Sequence, residues 1–80
     1  MLICDIEKNQ KERIRVSIEE YKGHKFVDTR VYFQDEAGEW RPSKKGIALN
    51  ADTIDEVVEA LQKASKKLES LLAPKERKVA

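Results

Sequence analysis

The sequence is poor in the residues that most often carry chemistry. One cysteine, Cys4, and one histidine, His24, are all it has of those types. A single cysteine excludes an internal disulfide. One cysteine with one histidine excludes a Cys/His zinc site built from a single chain. It also leaves little from which to assemble a nucleophile and its base, and no serine or cysteine lies close to His24. The three glycines, Gly23, Gly38 and Gly46, stand singly, so no glycine-rich loop is present to cradle a phosphate. Acid pairs such as Glu19–Glu20 and Asp35–Glu36 are adjacent, and adjacent side chains on a strand point to opposite faces. Neither an enzyme, nor a metal, nor a cofactor is expected.

Long apolar runs are missing as well. Met1 to Cys4 is too short for the core of a signal peptide. Nothing approaches the ~20 apolar residues of a membrane helix. With a lone cysteine, this reads as a cytoplasmic chain without membrane contact, and Cys4 itself reads as a small buried hydrophobe. An excess of one charge is missing too, with 16 Lys and Arg against 15 Asp and Glu. That balance is a sum of opposites: residues 1–10 carry a net −1, residues 11–49 a net +2, residues 50–72 a net −2 and the last stretch a net +2. Eighty residues allow one domain. A domain of this size buries only roughly 60 % of its unfolded surface. Without a disulfide or a metal, the remaining core has to come from a second copy.

What is present falls into two patterns that meet near Asn50. Before it the period is two: Ile14, Val16 and Ile18 alternate with Arg15 and Ser17, as in a strand with one buried face. Tyr21 to His24 reads as a turn. Lys25 to Gln34, rich in Val, Thr, Tyr and Phe, suits a pleated surface. Asp35 to Gly38 is a second turn and Trp40 to Leu49 another strand, whose Pro42 marks an edge or a bulge. Leu2 to Ile6 is a further strand, joined to the next through Lys8 to Glu12. After Asn50, an N-cap residue, Ile54, Val57, Val58, Leu61, Ala64, Leu68, Leu71 and Leu72 form one helical stripe. The fold class is α+β: an antiparallel sheet, then one long C-terminal helix. A 20-residue helix spans ~30 Å, more than a small sheet needs. Its far leucines therefore suit a two-fold interface with a second copy. Residues 1–73 form the domain and residues 74–80 a basic tail.

Aromatics are few, but they sit beside the bases. Tyr21 precedes Lys22, Tyr32 and Phe33 follow Arg30, and Trp40 precedes Arg41 in a segment, RPSKKG, with three positive charges and no acid. Bases on phosphates and rings on nucleobases are what a single-strand binder needs. Phe26, Tyr32 and Trp40 read equally well as core. Tyr21 and Phe33 fall near strand ends, where rings are exposed.

The ordered pattern Tyr21-Lys22-Gly23, Val27-Asp28, Arg30, Tyr32, Gly38-Glu39-Trp40, Pro42 and Lys45-Gly46-Ile47 resembles the transcriptional coactivator family called Positive Cofactor Four, in a short bacterial form. The likeness runs from about Ile14 to Leu72. It implies a curved four-stranded antiparallel sheet followed by a helix, related to the Whirly fold and dimerising through the helices. It implies sequence-tolerant binding of single-stranded DNA, with melted duplex or RNA as further ligands and the transcription machinery as a partner. It places the chain in the cytoplasm, at the nucleoid. A protein-contacting regulator and an RNA chaperone are the alternatives. The resemblance assigns base stacking to Tyr21 and Phe33, phosphate contacts to Lys22, Arg30, Arg41, Lys44 and Lys45, and a turn to Gly23. Tyr21 stands for a phenylalanine, Phe33 for a tryptophan and His24 for a lysine, while Glu19 and Glu20 bring acids beside Tyr21. Arg30 and Phe33 have opposite strand parity, so sharing a ligand calls for a bulge, a twist or a strand end.

Overall fold

In the computed structural model, which describes residues 1–72, four strands precede one helix. The strands are β1 (Leu2–Asn9), β2 (Glu12–Tyr21), β3 (His24–Gln34) and β4 (Trp40–Leu49), and the helix is α1 (Ile54–Leu71). They form one antiparallel sheet in sequence order, β1-β2-β3-β4. The expected tail lies outside the described residues.

Period-two patterning gives the sheet two unlike faces, because directly opposed residues share a face. The pairs Cys4↔Val16, Ile6↔Ile14, Ile14↔Val31, Ile18↔Val27, Thr29↔Ile47 and Val27↔Leu49 build an apolar face. The pairs Asp5↔Arg15, Glu7↔Arg13, Arg13↔Tyr32, Arg15↔Arg30 and Ser17↔Asp28 build a charged one.

Several boundaries differ from the sequence reading. β1 continues through Lys8 and Asn9, which were expected to connect it to β2. The carboxylate of Glu12 accepts hydrogen bonds from Lys8 Nζ at 3.1 Å and Asn9 Nδ2 at 2.8 Å. These polar side chains satisfy one another across the ladder, so the strand continues. The helix starts at Ile54, with Thr53 at its cap position and no side-chain cap bond there. Asn50, the expected cap, instead organises the turn leading in, its Oδ1 accepting from the N–H groups of Asp52 and Thr53. Pro42 meets both of its expectations. β4 is an edge strand, and its register against β3 shifts between Arg30 and Tyr32, where Ser43, Lys44 and Lys45 face the single residue Val31.

The largest departure concerns the core. Among the described residues no hydrophobic side chain is buried in the single chain, and Ser17 is the one buried polar residue. Cys4, expected to be buried, is exposed, because it lies on an edge strand whose apolar face nothing covers. The three adjacent strand pairs supply the main tertiary contacts, and Ile54 at the start of α1 lines one cavity together with Ile18, Val27 and Leu49 of the sheet. The chain exposes 7054 Å², against about 4,900 Å² for a folded monomer of its mass. Its radius of gyration is 15.2 Å, against about 11.6 Å for a compact domain of this length.

Candidate nucleic-acid interface

The β2–β3 hairpin carries the first predicted group. Lys22 has φ 51° and Gly23 φ 81°, the two successive positive values of the tight turn that matches the twist of a hairpin. Gly23 adopts that value without strain. The turn holds Tyr21 at the sheet end, 66 % exposed, with Lys22 Nζ 5.4 Å from the centre of its ring. Lys22 makes no ion pair among the described residues.

The second group sits at the opposite end of the hairpin. Phe33 is 39 % exposed and pairs with Glu12 on β2 and Arg41 on β4, which places it on the apolar face. Nine residues of β2 separate the rungs of Phe33 and Tyr21, roughly 30 Å of strand. Lys44 and Lys45 project from the bulge in β4, both exposed. The Ser43 hydroxyl fixes that bulge, donating to the Val31 carbonyl at 2.7 Å and accepting from the Lys45 N–H at 3.1 Å. Gly46 lets the strands approach, since a Cβ there would lie 2.7 Å from the Thr29 carbonyl oxygen. Neither lysine is ion-paired among the described residues.

The two predicted arginines are differently placed. Arg30 lies on the charged face and donates twice to the carboxylate of Asp28, at 3.1 Å each, and once to the Ser43 carbonyl at 2.9 Å. The hydrogen-bonded Asp28 carboxylate holds the Arg30 guanidinium above its ordinary pKa. Arg41 donates to Asp35 at 2.6 Å and to Glu39 at 3.3 Å. The Arg41 contact is the main reason that the Asp35 carboxyl sits below the usual carboxylate range. The β2–β3 ladder runs without a register shift from Glu12↔Phe33 to Tyr21↔His24. Arg30 and Phe33 therefore stay on opposite faces, and the bulge that could have joined them lies in β4. Tyr21 shares the face of Arg30, and Phe33 shares that of Arg41.

Two guanidinium–ring stacks on the charged face escaped the sequence reading. Arg13 lies 4.7 Å from the Trp40 ring centre and Arg15 lies 4.2 Å from that of Tyr32. Arg15 is also held by Asp5 through bonds of 2.8 and 3.1 Å. The Arg13↔Tyr32 pairing that brings these groups together depends on register, which periodicity alone does not supply. Among the described residues no cluster suited to a metal ion is found, and no helix is long and apolar enough to cross a membrane.

This geometry has known counterparts. The family model for transcriptional coactivator p15 (PC4) matches residues 8–60. The RNA polymerase II transcriptional coactivator SUB1 of Saccharomyces cerevisiae is 37 % identical over 57 residues, which are 70 % of this chain and 18 % of the yeast protein. The chain thus spans about a fifth of that relative. A crystal structure of a PC4 homologue from Burkholderia pseudomallei superposes with a TM-score of 0.77 at 32 % identity, covering 81 % of this chain and 96 % of the other. The MoSub1–DNA complex superposes with a TM-score of 0.59 at 26 % identity, covering 96 % and 90 %.

Proposed function

The chain belongs to the transcriptional coactivator p15 (PC4) family, and on that premise we propose that it works as a homodimer that binds single-stranded DNA with little regard to sequence. Bases stack on Tyr21 and Phe33, and phosphates meet Lys22, Lys44 and Lys45. The observation that carries this reading is the pairing of exposed rings with free lysines at both ends of the hairpin. Stacking accepts every base, because each has a π-face, and a lysine on phosphate reads no sequence. Arg30 and Arg41 join only after leaving Asp28 and Asp35. The two rings are far enough apart to take bases that are not neighbours on the strand.

The dimer rests on the missing core. Val58, Leu61, Leu68 and Leu71 on α1 and Ile6, Ile18 and Ile47 on the sheet are all exposed. A second copy related by a two-fold axis covers the same stripe with its own. Acting at promoters, as a coactivator at the nucleoid, is the setting this chemistry suits.

Fluorescence anisotropy with a labelled ~20-mer single strand, its duplex and the equivalent RNA, over a salt series, tests the binding reading. Micromolar or tighter binding to the single strand is expected, weakening steeply as salt rises because each neutralised phosphate releases counterions. No binding at low salt would refute it. Equal or tighter binding of the RNA would move the function toward RNA chaperoning, since the 2′-OH is the group by which a protein tells the two strands apart.

A further inference from the structure

Trp40 opens the edge strand β4 opposite Gln34, is half-buried, and stands outside the positions discussed above for stacking. We propose that Trp40 and Arg13 together form an additional stacking platform for a base of single-stranded DNA, on the charged face of the sheet. This extends the single-strand reading and rests on it.

Three observations converge on the platform. The Arg13 guanidinium lies over the indole, 4.7 Å from its centre, so a flat cation and a flat ring already stand together. Arg planes as well as aromatic rings stack unpaired bases. Next, Arg13 is the exception among the arginines of the sheet. Arg15, Arg30 and Arg41 each donate to a carboxylate, whereas Arg13 forms no ion pair among the described residues, although Glu7 stands opposite it on β1. The Arg15–Tyr32 stack is spent on Asp5, and the Arg13–Trp40 stack keeps its charge for a phosphate. Finally, the pairs Phe33↔Arg41 and Gln34↔Trp40 are consecutive rungs of one ladder. Trp40 therefore adjoins Phe33 at the same sheet end but on the other face. The outer side of β4 pairs with no strand among the described residues, so a nucleic-acid strand leaving Phe33 can turn round the end of the sheet onto Trp40. Glu39 is the nearest acid in sequence, and it is held by Arg41.

Trp40 is the only tryptophan in the chain, so its emission reports on this site alone. The test follows that emission while an unlabelled ~20-mer of thymidylates is added, with binding measured independently by anisotropy. Quenching along the same isotherm is expected. Trp40→Ala should weaken binding about 5- to 150-fold, the worth of one stacked base. Trp40→Phe, which keeps a ring, should recover most of the loss. Arg13→Gln should weaken binding and lower the slope of log K against log salt by about 0.7, the value of one phosphate on a single strand. Unchanged emission while anisotropy reports binding overturns the platform and leaves the single-strand reading standing. A folded Trp40→Ala variant with wild-type affinity does the same. If Trp40→Ala loses its fold, the wild-type emission and Trp40→Phe decide. Absence of binding by the wild-type chain in the anisotropy arm overturns both readings.

Discussion

Replacing Leu68 with Asp should dissociate the proposed dimer and unfold its chains together. Leu68 lies on the α1 stripe and is 57 % exposed in the single chain. Fully burying a leucine contributes about 1.5–3 kcal/mol, so covering the exposed half contributes about 1–1.5 kcal/mol. A two-fold interface contains the residue twice, which doubles the loss to about 2–3 kcal/mol, or roughly 30- to 150-fold in the dimer Kd. The new carboxylate, facing its own copy across an apolar seam, adds to that figure. Because no hydrophobic side chain among the described residues is buried in one chain, separation leaves no core there to keep it folded. Melting should therefore be linked to association, with a midpoint that rises with protein concentration. Light scattering across a dilution series and melting curves at two concentrations measure both effects. A wild-type mass of 9.2 kDa at tens of micromolar, with a midpoint independent of concentration, would refute the reasoning. So would a Leu68→Asp variant that remains dimeric with an unshifted Kd.

Three further outcomes are expected. Gly46→Ala forces a Cβ to within 2.7 Å of the Thr29 oxygen and 2.9 Å of the Arg30 Cα. Overpacking of this kind costs about 1–3 kcal/mol, so the melting midpoint should fall by several degrees, and an unchanged midpoint would mean that the strands part freely. Asp35→Asn keeps an oxygen for the Ala37 and Glu39 N–H groups but removes the shorter of the two carboxylate contacts of Arg41, leaving the 3.3 Å contact with Glu39. Single-strand affinity should rise several-fold and its salt slope should steepen, whereas a weaker binder would show that the ion pair shapes the site. The pH profile follows from three carboxyls whose folded-state pKa is depressed: Asp5 by Arg15, Glu12 by Asn9 and then Lys8, and Asp35 by Arg41. Their contribution is complete above the unfolded values of about 3.9–4.3 and is lost as pH falls through the lower folded ones. Urea midpoints should be flat above about pH 5.5 and drop below about pH 4, and midpoints that rise on acidification would contradict these pairings.

The elements were legible in the sequence wherever one periodicity ran unopposed. Ile14, Val16 and Ile18 announced β2, and the stripe from Ile54 to Leu71 announced α1. The hairpin turn was legible from Gly23, which takes a positive φ without strain, whereas the positive φ of Lys22 is one that few non-glycine residues adopt. The boundaries that slipped did so where side chains bond locally. Lys8, Asn9 and Glu12 look like loop residues until their mutual hydrogen bonds place them in a ladder. Cys4 was misread for a different reason: sequence shows which face is apolar but not whether the same chain covers it. The grouping at the site was least legible. Parity warned that Arg30 and Phe33 diverge, but the commitment of Arg30 to Asp28 and of Arg41 to Asp35, and the stacking of Arg13 on Trp40, depend on registers across strands.

The near-zero net charge takes on meaning once these partners are known. Of the four described arginines, Arg15, Arg30 and Arg41 are held by carboxylates of the same chain. Of the lysines before α1, only Lys8 is. Four acids, Asp5, Asp28, Asp35 and Glu39, are spent on guanidinium groups, whose planar fork fits a carboxylate best. Lys22, Lys44 and Lys45 are left as free point charges on flexible stems, two of them on a bulge and one on a turn. A cation that holds phosphate without demanding a fixed geometry suits a ligand whose backbone has no regular shape. The same division explains how a chain with a net charge of +1 can present basic ends. Four of the carboxylates that offset the total are occupied by Arg15, Arg30 and Arg41, while Lys22, Lys44 and Lys45 make no ion pair among the described residues.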